Sequence, residues 1–142
     1  MFAAILASAV LASASPDARL AWVQSAATFH VYVMPDSSVV RQVNVLASDA
    51  LGHPTAVRIV YDLSNQTLVV DESAYAGDSG SAQSFGPDAI YVNGYPAIYT
   101  RTGPYYRKEG HLTWWPAGVK VELSSTDLWD VPALVIATLS LR

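Results

Sequence analysis

Apolar and polar residues alternate along most of this chain with a period of two, and two stretches of helical spacing frame the alternation. A period of two marks strands with one buried face, and a period near 3.6 marks helices. Ser15-Pro16-Asp17 announces the first helix. It combines a capping hydroxyl, a proline whose missing N–H the first turn does not need, and an acid at the positive end of the helix dipole. The helix is predicted to run through Leu20, Trp22 and Val23 to about Ala26. From Thr28 the period changes, so that Phe29, Val31 and Val33 would share one face of a strand and His30, Tyr32 and Met34 the other. Met34-Pro35-Asp36-Ser37 then turns the chain into a second strand, Val39 to Leu46, with Gln42 and Asn44 on its more polar face. After the break at Gly52-His53-Pro54, the stretches Ala56 to Leu63 and Thr67 to Asp71 read as a hairpin closed by Ser64-Asn65-Gln66.

Glu72 to Asp88 holds Gly77, Gly80, Gly86 and Pro87 among several Ser and Ala residues and is predicted as a loop. Connections that long tend to be functional or mobile. Ala89 to Val92 meets Asn93-Gly94, a strong two-residue hairpin signal, and returns as Tyr95 to Thr100. Tyr105 to Lys108 would extend an edge, and His111 to Trp115 pairs with Val119 to Leu123 across Pro116-Ala117-Gly118. A closing helix starts near Asp130, with Leu128, Val131, Val135 and Leu139 expected on its buried stripe. The predicted fold is α+β: a curved antiparallel sheet of seven or eight strands with an N-terminal and a C-terminal helix packed on one face.

Length adds a boundary to this picture. At 142 residues, the chain holds one core, assigned to residues 15–142 as a single domain. Met1 to Ala14 is apolar and uncharged, too short to span a bilayer, and ends in an Ala12-Ser13-Ala14 step. It reads as a signal-peptide-like leader or the remnant of an anchor, against the alternative of an Ala-rich buried helix. The expected setting is therefore secreted or extracytoplasmic, with membrane contact only through such an anchor.

Composition then removes whole classes. Hydrophobic residues make up 51% and charged residues 14%, which excludes a disordered chain. A net charge of −4 argues against nucleic acid as a partner. With no cysteine, thiolate metal sites and thiol catalysis are excluded. His30, His53 and His111 lie on three separate segments without the local spacing of a metal site, and no metal or cofactor is predicted. Neither helix opens on a Gly-rich phosphate loop.

Two enzyme readings are open to the sequence. Gly77-Asp78-Ser79-Gly80 resembles the nucleophile segment of chymotrypsin-like proteases, with His30 and Asp49 or Asp62 upstream in a permissive order. His30, however, sits within an alternating Phe29-His30-Val31 stretch, and the chain before Ser79 is too short for that fold. Asp62 and Asp71 could approach across their hairpin as the paired acids of a glycosidase. A small secreted hydrolase using such carboxylates or Ser79 is thus the alternative, and no catalytic residue is assigned. Asn65-Gln66-Thr67 matches the glycosylation acceptor pattern, a frequent chance match.

Aromatic residues carry more information. Tyr91, Tyr95, Tyr99, Tyr105, Tyr106 and Trp115 crowd the second half of the chain beside Trp114. They are the candidate ligand surface, since strands turn half their side chains outward. Leu112 would share the buried face with Trp114, and Thr113 the other face with Trp115. The outer face is expected to hold a groove for a lipid, glycan or peptide segment, with residues 72–88 as its flap.

His111-Leu112-Thr113-Trp114, Gly118, the strand Val119 to Leu123 and the helix around Leu134 to Leu139 resemble a known pattern, as does Asn93-Gly94 followed by Ala97. They are similar to an uncharacterised domain of bacterial extracytoplasmic proteins associated with membrane anchors, anti-sigma factors and lipoproteins. Its design is akin to the lipoprotein-carrier fold, a curved sheet cradling a helix. The resemblance covers Ala56 to Leu141, and Trp115 departs from it. It implies no catalytic residues. What it implies is a non-catalytic binding or sensing domain of an envelope protein, taking a hydrophobic or amphipathic ligand or a protein partner.

Overall fold

In a computed structural model, which describes residues 14–64, 66–77, 89–102, 109–125 and 131–142, seven antiparallel strands form one curved open sheet. Helix α1 spans Pro16–Ala26 and α2 spans Val131–Ser140. Between them run β1 (Val40–Ser48), β2 (Pro54–Leu63), β3 (Gln66–Ala74), β4 (Ile90–Val92), β5 (Tyr95–Thr102), β6 (Glu109–Trp114) and β7 (Val119–Ser125). The sheet order is β1-β2-β3-β7-β6-β5-β4. Two meanders, β1-β2-β3 and β4-β5-β6-β7, therefore meet along β3 and β7, with Val70 opposite Leu123. This is the α+β architecture expected from the alternation.

Local chemistry sets the joints. The Ser15 side chain accepts the Ala18 N–H at 3.3 Å, and Pro16 opens α1, which buries Leu20 and Val23. Asn93 and Gly94 both have positive φ, 51° and 79°, the type I′ geometry whose twist matches paired strands. That turn fixes Val92 opposite Tyr95 and hence every pairing across β4 and β5. On the inner face, Val57, Ile59, Tyr61, Leu68, Val70, Leu112, Trp114, Val121 and Leu123 form one cluster with Leu20, Val23, Leu134 and Ala137 from the helices and Leu141 just past α2. The opposite face is polar along its centre, where Arg58 donates two hydrogen bonds of 2.7 Å to Asp71 of the neighbouring strand.

Three expectations change. Residues 28–34 form no strand and join no ladder of the sheet. They form a strap, and their backbone donors go elsewhere: Thr28 N–H to the Pro54 carbonyl, and Val33 into a mutual pair with Arg142 at 3.0 and 2.9 Å. Val31 is buried, but Tyr32 and Met34, expected on the opposite face, also pack against the core, so the apparent alternation does not mark a two-faced strand here. Next, β3 does not stop at Asp71; it runs through Glu72 to Ala74, so Glu72 and Ser73 belong to the sheet and not to a loop. Lastly, α2 turns a different stripe inward. Leu134, Ala137, Thr138 and Leu141 are buried, whereas Leu139 is 48% exposed. A helix apolar on every side offers no contrast from which to choose its stripe. Leu128, the core of the predicted 72–88 loop, Tyr105 to Lys108 and Met1 to Ser13 lie outside the described residues.

Candidate functional site

Beneath the strap lies the most unusual side chain of the core. Leu68, Val70 and Glu72 occupy alternate positions of β3, so they point the same way, into the inner face. Glu72 faces Val57 of β2 and Val121 of β7 across the sheet and is 1% exposed. Its Oε2 accepts the Tyr32 N–H at 2.8 Å, while Oε1 has no hydrogen-bond partner. Burial pushes its carboxyl up to about 8, against the opposing pull of the Tyr32 N–H. Two residues along the strap, the Met34 N–H donates to the Tyr61 hydroxyl at 3.3 Å. Burial raises the Tyr61 phenol as well, and raises Tyr32, with further upward pushes from Tyr95 and Glu72. The Tyr32 ring meets Trp114 edge-on, centroids 5.1 Å apart, and Trp114 donates its indole N–H to the Val92 carbonyl at 3.0 Å.

The far end of the strap borders a second feature. Met34, Leu63, Ala133, Ile136 and Ala137, with Gln66 and Ser140, line an open groove of about 410 Å³ between strap, β2–β3 turn and α2. No charged residue occurs in α2, and Ile136 stands 65% exposed beside the groove. Another hollow of about 400 Å³ lies at the other end of the strap, between Phe29, His30, Tyr75 and the β6–β7 turn.

The aromatic residues singled out from the sequence divide between the two faces. Tyr95 and Tyr99 share the inner face with Leu112 and Trp114 and pack against the core, with Tyr95 6.5 Å from Trp114. Tyr91 is exposed, and Trp115 is half-buried just past the end of β6, where its N–H donates to the Pro96 carbonyl. Tyr105 and Tyr106 lie outside the described residues. Tyr95 and Tyr99 therefore belong to the core side rather than to an outer groove.

The weighed chemistry does not assemble from the residues described. Asp62 faces Thr67 while Asp71 faces Arg58, four positions away along the hairpin. That separation is roughly 13 Å, beyond the spacing of paired glycosidase acids. Asp71 is already engaged by Arg58, and Asp62 lies 3.7 Å from Arg41. His53 sits 3.2 Å from Asp49 in the β1–β2 turn, His111 3.6 Å from Glu109, and His30 against the Tyr32 ring. Among the described residues no three His, Asp or Glu side chains gather into a metal-sized group. Ser79 and Asp78 lie outside them.

The sequence pattern puts Glu72 at the mouth of a loop and the hydrophobic surface on the outer aromatics, whereas in the structure Glu72 lies within β3 and Tyr95 and Tyr99 pack against the core. The signal for Glu72 was present in the unbroken i, i+2, i+4 run of Leu68, Val70 and Glu72. Charge at the third position masked it. Compared with known proteins, the chain matches no family model, no curated protein and no solved structure. Among the described residues no helix is long and apolar enough to cross a membrane.

Proposed function

We propose that this chain is a non-catalytic binding or sensing domain of a bacterial envelope protein, working outside the cytoplasm and engaging an apolar or amphipathic partner beside α2. The observation that carries the reading is the outward face of that helix. Ile136 and Leu139 are 65% and 48% exposed on a helix without a charged residue, next to a groove lined mainly by aliphatic side chains. Fully burying such a side chain is worth about 1.5–3 kcal/mol, so leaving two in water forgoes free energy that a partner would recover. Concave apolar surface with a few polar groups at its margin is the usual form of a site for an acyl chain or the apolar side of a peptide. The setting rests on the leader-like Met1–Ala14 and on the resemblance of residues 56–141 to extracytoplasmic domains.

Calorimetric titration of the purified chain tests this with a medium-chain fatty acid, zwitterionic vesicles, an amphipathic helical peptide and an oligosaccharide. The expected result is heat with the fatty acid or the peptide, lost in the Ile136→Gln/Leu139→Gln variant while its circular dichroism stays unchanged. No heat with any probe, or equal heat from the variant, overturns the reading. Hydrolysis of ester, peptide or glycoside substrates that disappears in Ser79→Ala or Asp71→Asn would replace it with the hydrolase.

A further inference from the structure

Glu72 is the one buried side-chain atom group among the described residues that the fold encloses without completing its hydrogen bonds. It sits in the middle of the sheet, between Val57 and Val121. Its single partner is not a neighbour in the sheet but the backbone of the strap, through the Tyr32 N–H. The strap in turn is held inward by side chains, Glu72 for Tyr32 and the Tyr61 hydroxyl for Met34, rather than by a strand ladder. Its backbone bonds lie toward its two ends, at Thr28 with Pro54 and at Val33 with the last residue, Arg142.

We infer that residues 28–34 are a proton-controlled latch, docked on the inner face of the sheet while Glu72 is neutral and lifted from it when Glu72 is ionised. A neutral carboxyl can accept the Tyr32 N–H on one oxygen and carry its proton on the other. An ionised one is acceptor-only, with about four lone-pair positions to fill, and the docked strap fills one of them. The missing hydrogen bonds must come from water, and the strap is held by only three backbone bonds, all toward its ends. Segments of that kind open locally at less cost than paired strands.

Among the described residues no cation acts on the carboxylate, which feels only burial and the Tyr32 N–H. The titratable groups around it are the Tyr61 phenol from β2 and the Tyr32 phenol from the strap, with Tyr95 of β5 acting on Tyr32 in turn. From β7 it meets Val121, and the helices send Leu20, Val23, Leu134 and Ala137 into the core. Lifting the strap would separate Tyr32 from Trp114 and open the inner face around Tyr61 and Glu72 to solvent. The latch does not depend on the groove beside α2 having a ligand.

Amide hydrogen exchange followed by NMR, corrected for intrinsic rates, tests it on the full chain between pH 5 and 9. The Tyr32 and Met34 amides are expected to lose protection about ten-fold per pH unit through the interval in which the open form is ionised and the docked form is not. That interval runs from about 4.5, the ordinary glutamate value, to about 8, and protection levels off above it. Val70, Val121 and Leu123 amides should stay protected throughout, and Glu72→Gln should make the strap profile flat. A flat profile in the wild type, an unchanged slope in Glu72→Gln, or joint loss at strap and sheet amides overturns the latch. Should Glu72→Gln not fold, the wild-type carboxyl itself decides, by carbon-13 titration of labelled glutamate. A Glu72 midpoint near the ordinary value overturns the latch, and one displaced upward by several units supports it.

Discussion

Trp114 and Trp115 are adjacent in sequence and lie in different surroundings. Trp114 is 2% exposed, set against Tyr32 and Tyr95 with its indole N–H bound to the Val92 carbonyl. Trp115 is only half-buried beyond the strand end. Trp114→Ala is expected to cost about 3–5 kcal/mol in urea denaturation, the range for truncating a large buried aromatic. Trp115→Ala should cost less than half of that, and equal losses would show that the two rings share an environment. This contrast was legible in the sequence because Leu112 and Trp114 alternate with Thr113 and Trp115. Glu72 was less legible for an instructive reason. Alternation assigns a face, but charge argues for solvent, and a burial that violates the second rule cannot be chosen from the first alone. Asp71, one position earlier, obeys both rules: it faces outward and takes the fork of Arg58. That pair is partly solvent-exposed, so Asp71→Asn is expected to cost at most about 1 kcal/mol by the same measurement.

At the scale of elements, turn chemistry was the most reliable guide. Asn93-Gly94 fixed a hairpin before any partner strand was known, because few dipeptides accept positive φ at both positions. A Cβ added at Gly94 would meet no atom within 4 Å, so its substitution reports backbone strain alone. Gly94→Ala should therefore cost about 1–2 kcal/mol, the usual penalty for left-handed backbone. Gly94→Asn should cost visibly less in the same denaturation series. A loss from Asn equal to that from Ala would mean that something other than backbone conformation is being measured. The strap and α2 were legible only in part. Period two predicts a two-faced strand from Phe29 to Met34, but pairing is a long-range choice: here the donors find Glu72, Tyr61 and Arg142 instead of a strand, and Tyr32 and Met34 pack against the core along with Val31. Helical spacing identified α2 but not its inward stripe, since Leu134 and Leu139 are equally apolar and only the sheet beneath distinguishes them.

For the whole molecule, the buried and exposed carboxylates pull stability in opposite directions with pH. Asp36 and Asp49 are lowered from the ordinary value of 3.8. Ser38 hydrogen bonds, side chain first, lower Asp36, and the His53 backbone N–H leads for Asp49. Their folded forms bind protons less readily than the unfolded chain, so their contribution is full above 3.8 and is lost as pH falls through their depressed values. Glu72 has the reverse sign. Its folded form holds a proton up to about 8 against 4.5 unfolded, so its contribution is full below 4.5 and declines as pH rises toward 8. Over that window the folded state binds more protons than the unfolded one, which makes the slope of stability against pH negative. A displacement of this size corresponds to a few kcal/mol on the order-of-magnitude scale of about 1.4 kcal/mol per unit. An open strap that hydrates the carboxylate would arrest the decline before the sheet itself unfolds. The chain should thus be most resistant to urea in mildly acidic solution, near pH 4–5, and measurably weaker at pH 8. In Glu72→Gln the alkaline side of that profile should flatten while the acid side, set in part by Asp36 and Asp49, remains. A wild-type maximum at pH 7–8 would show that Glu72 ionises in the folded chain as readily as in the unfolded one, and that the carboxyl under the strap is already hydrated.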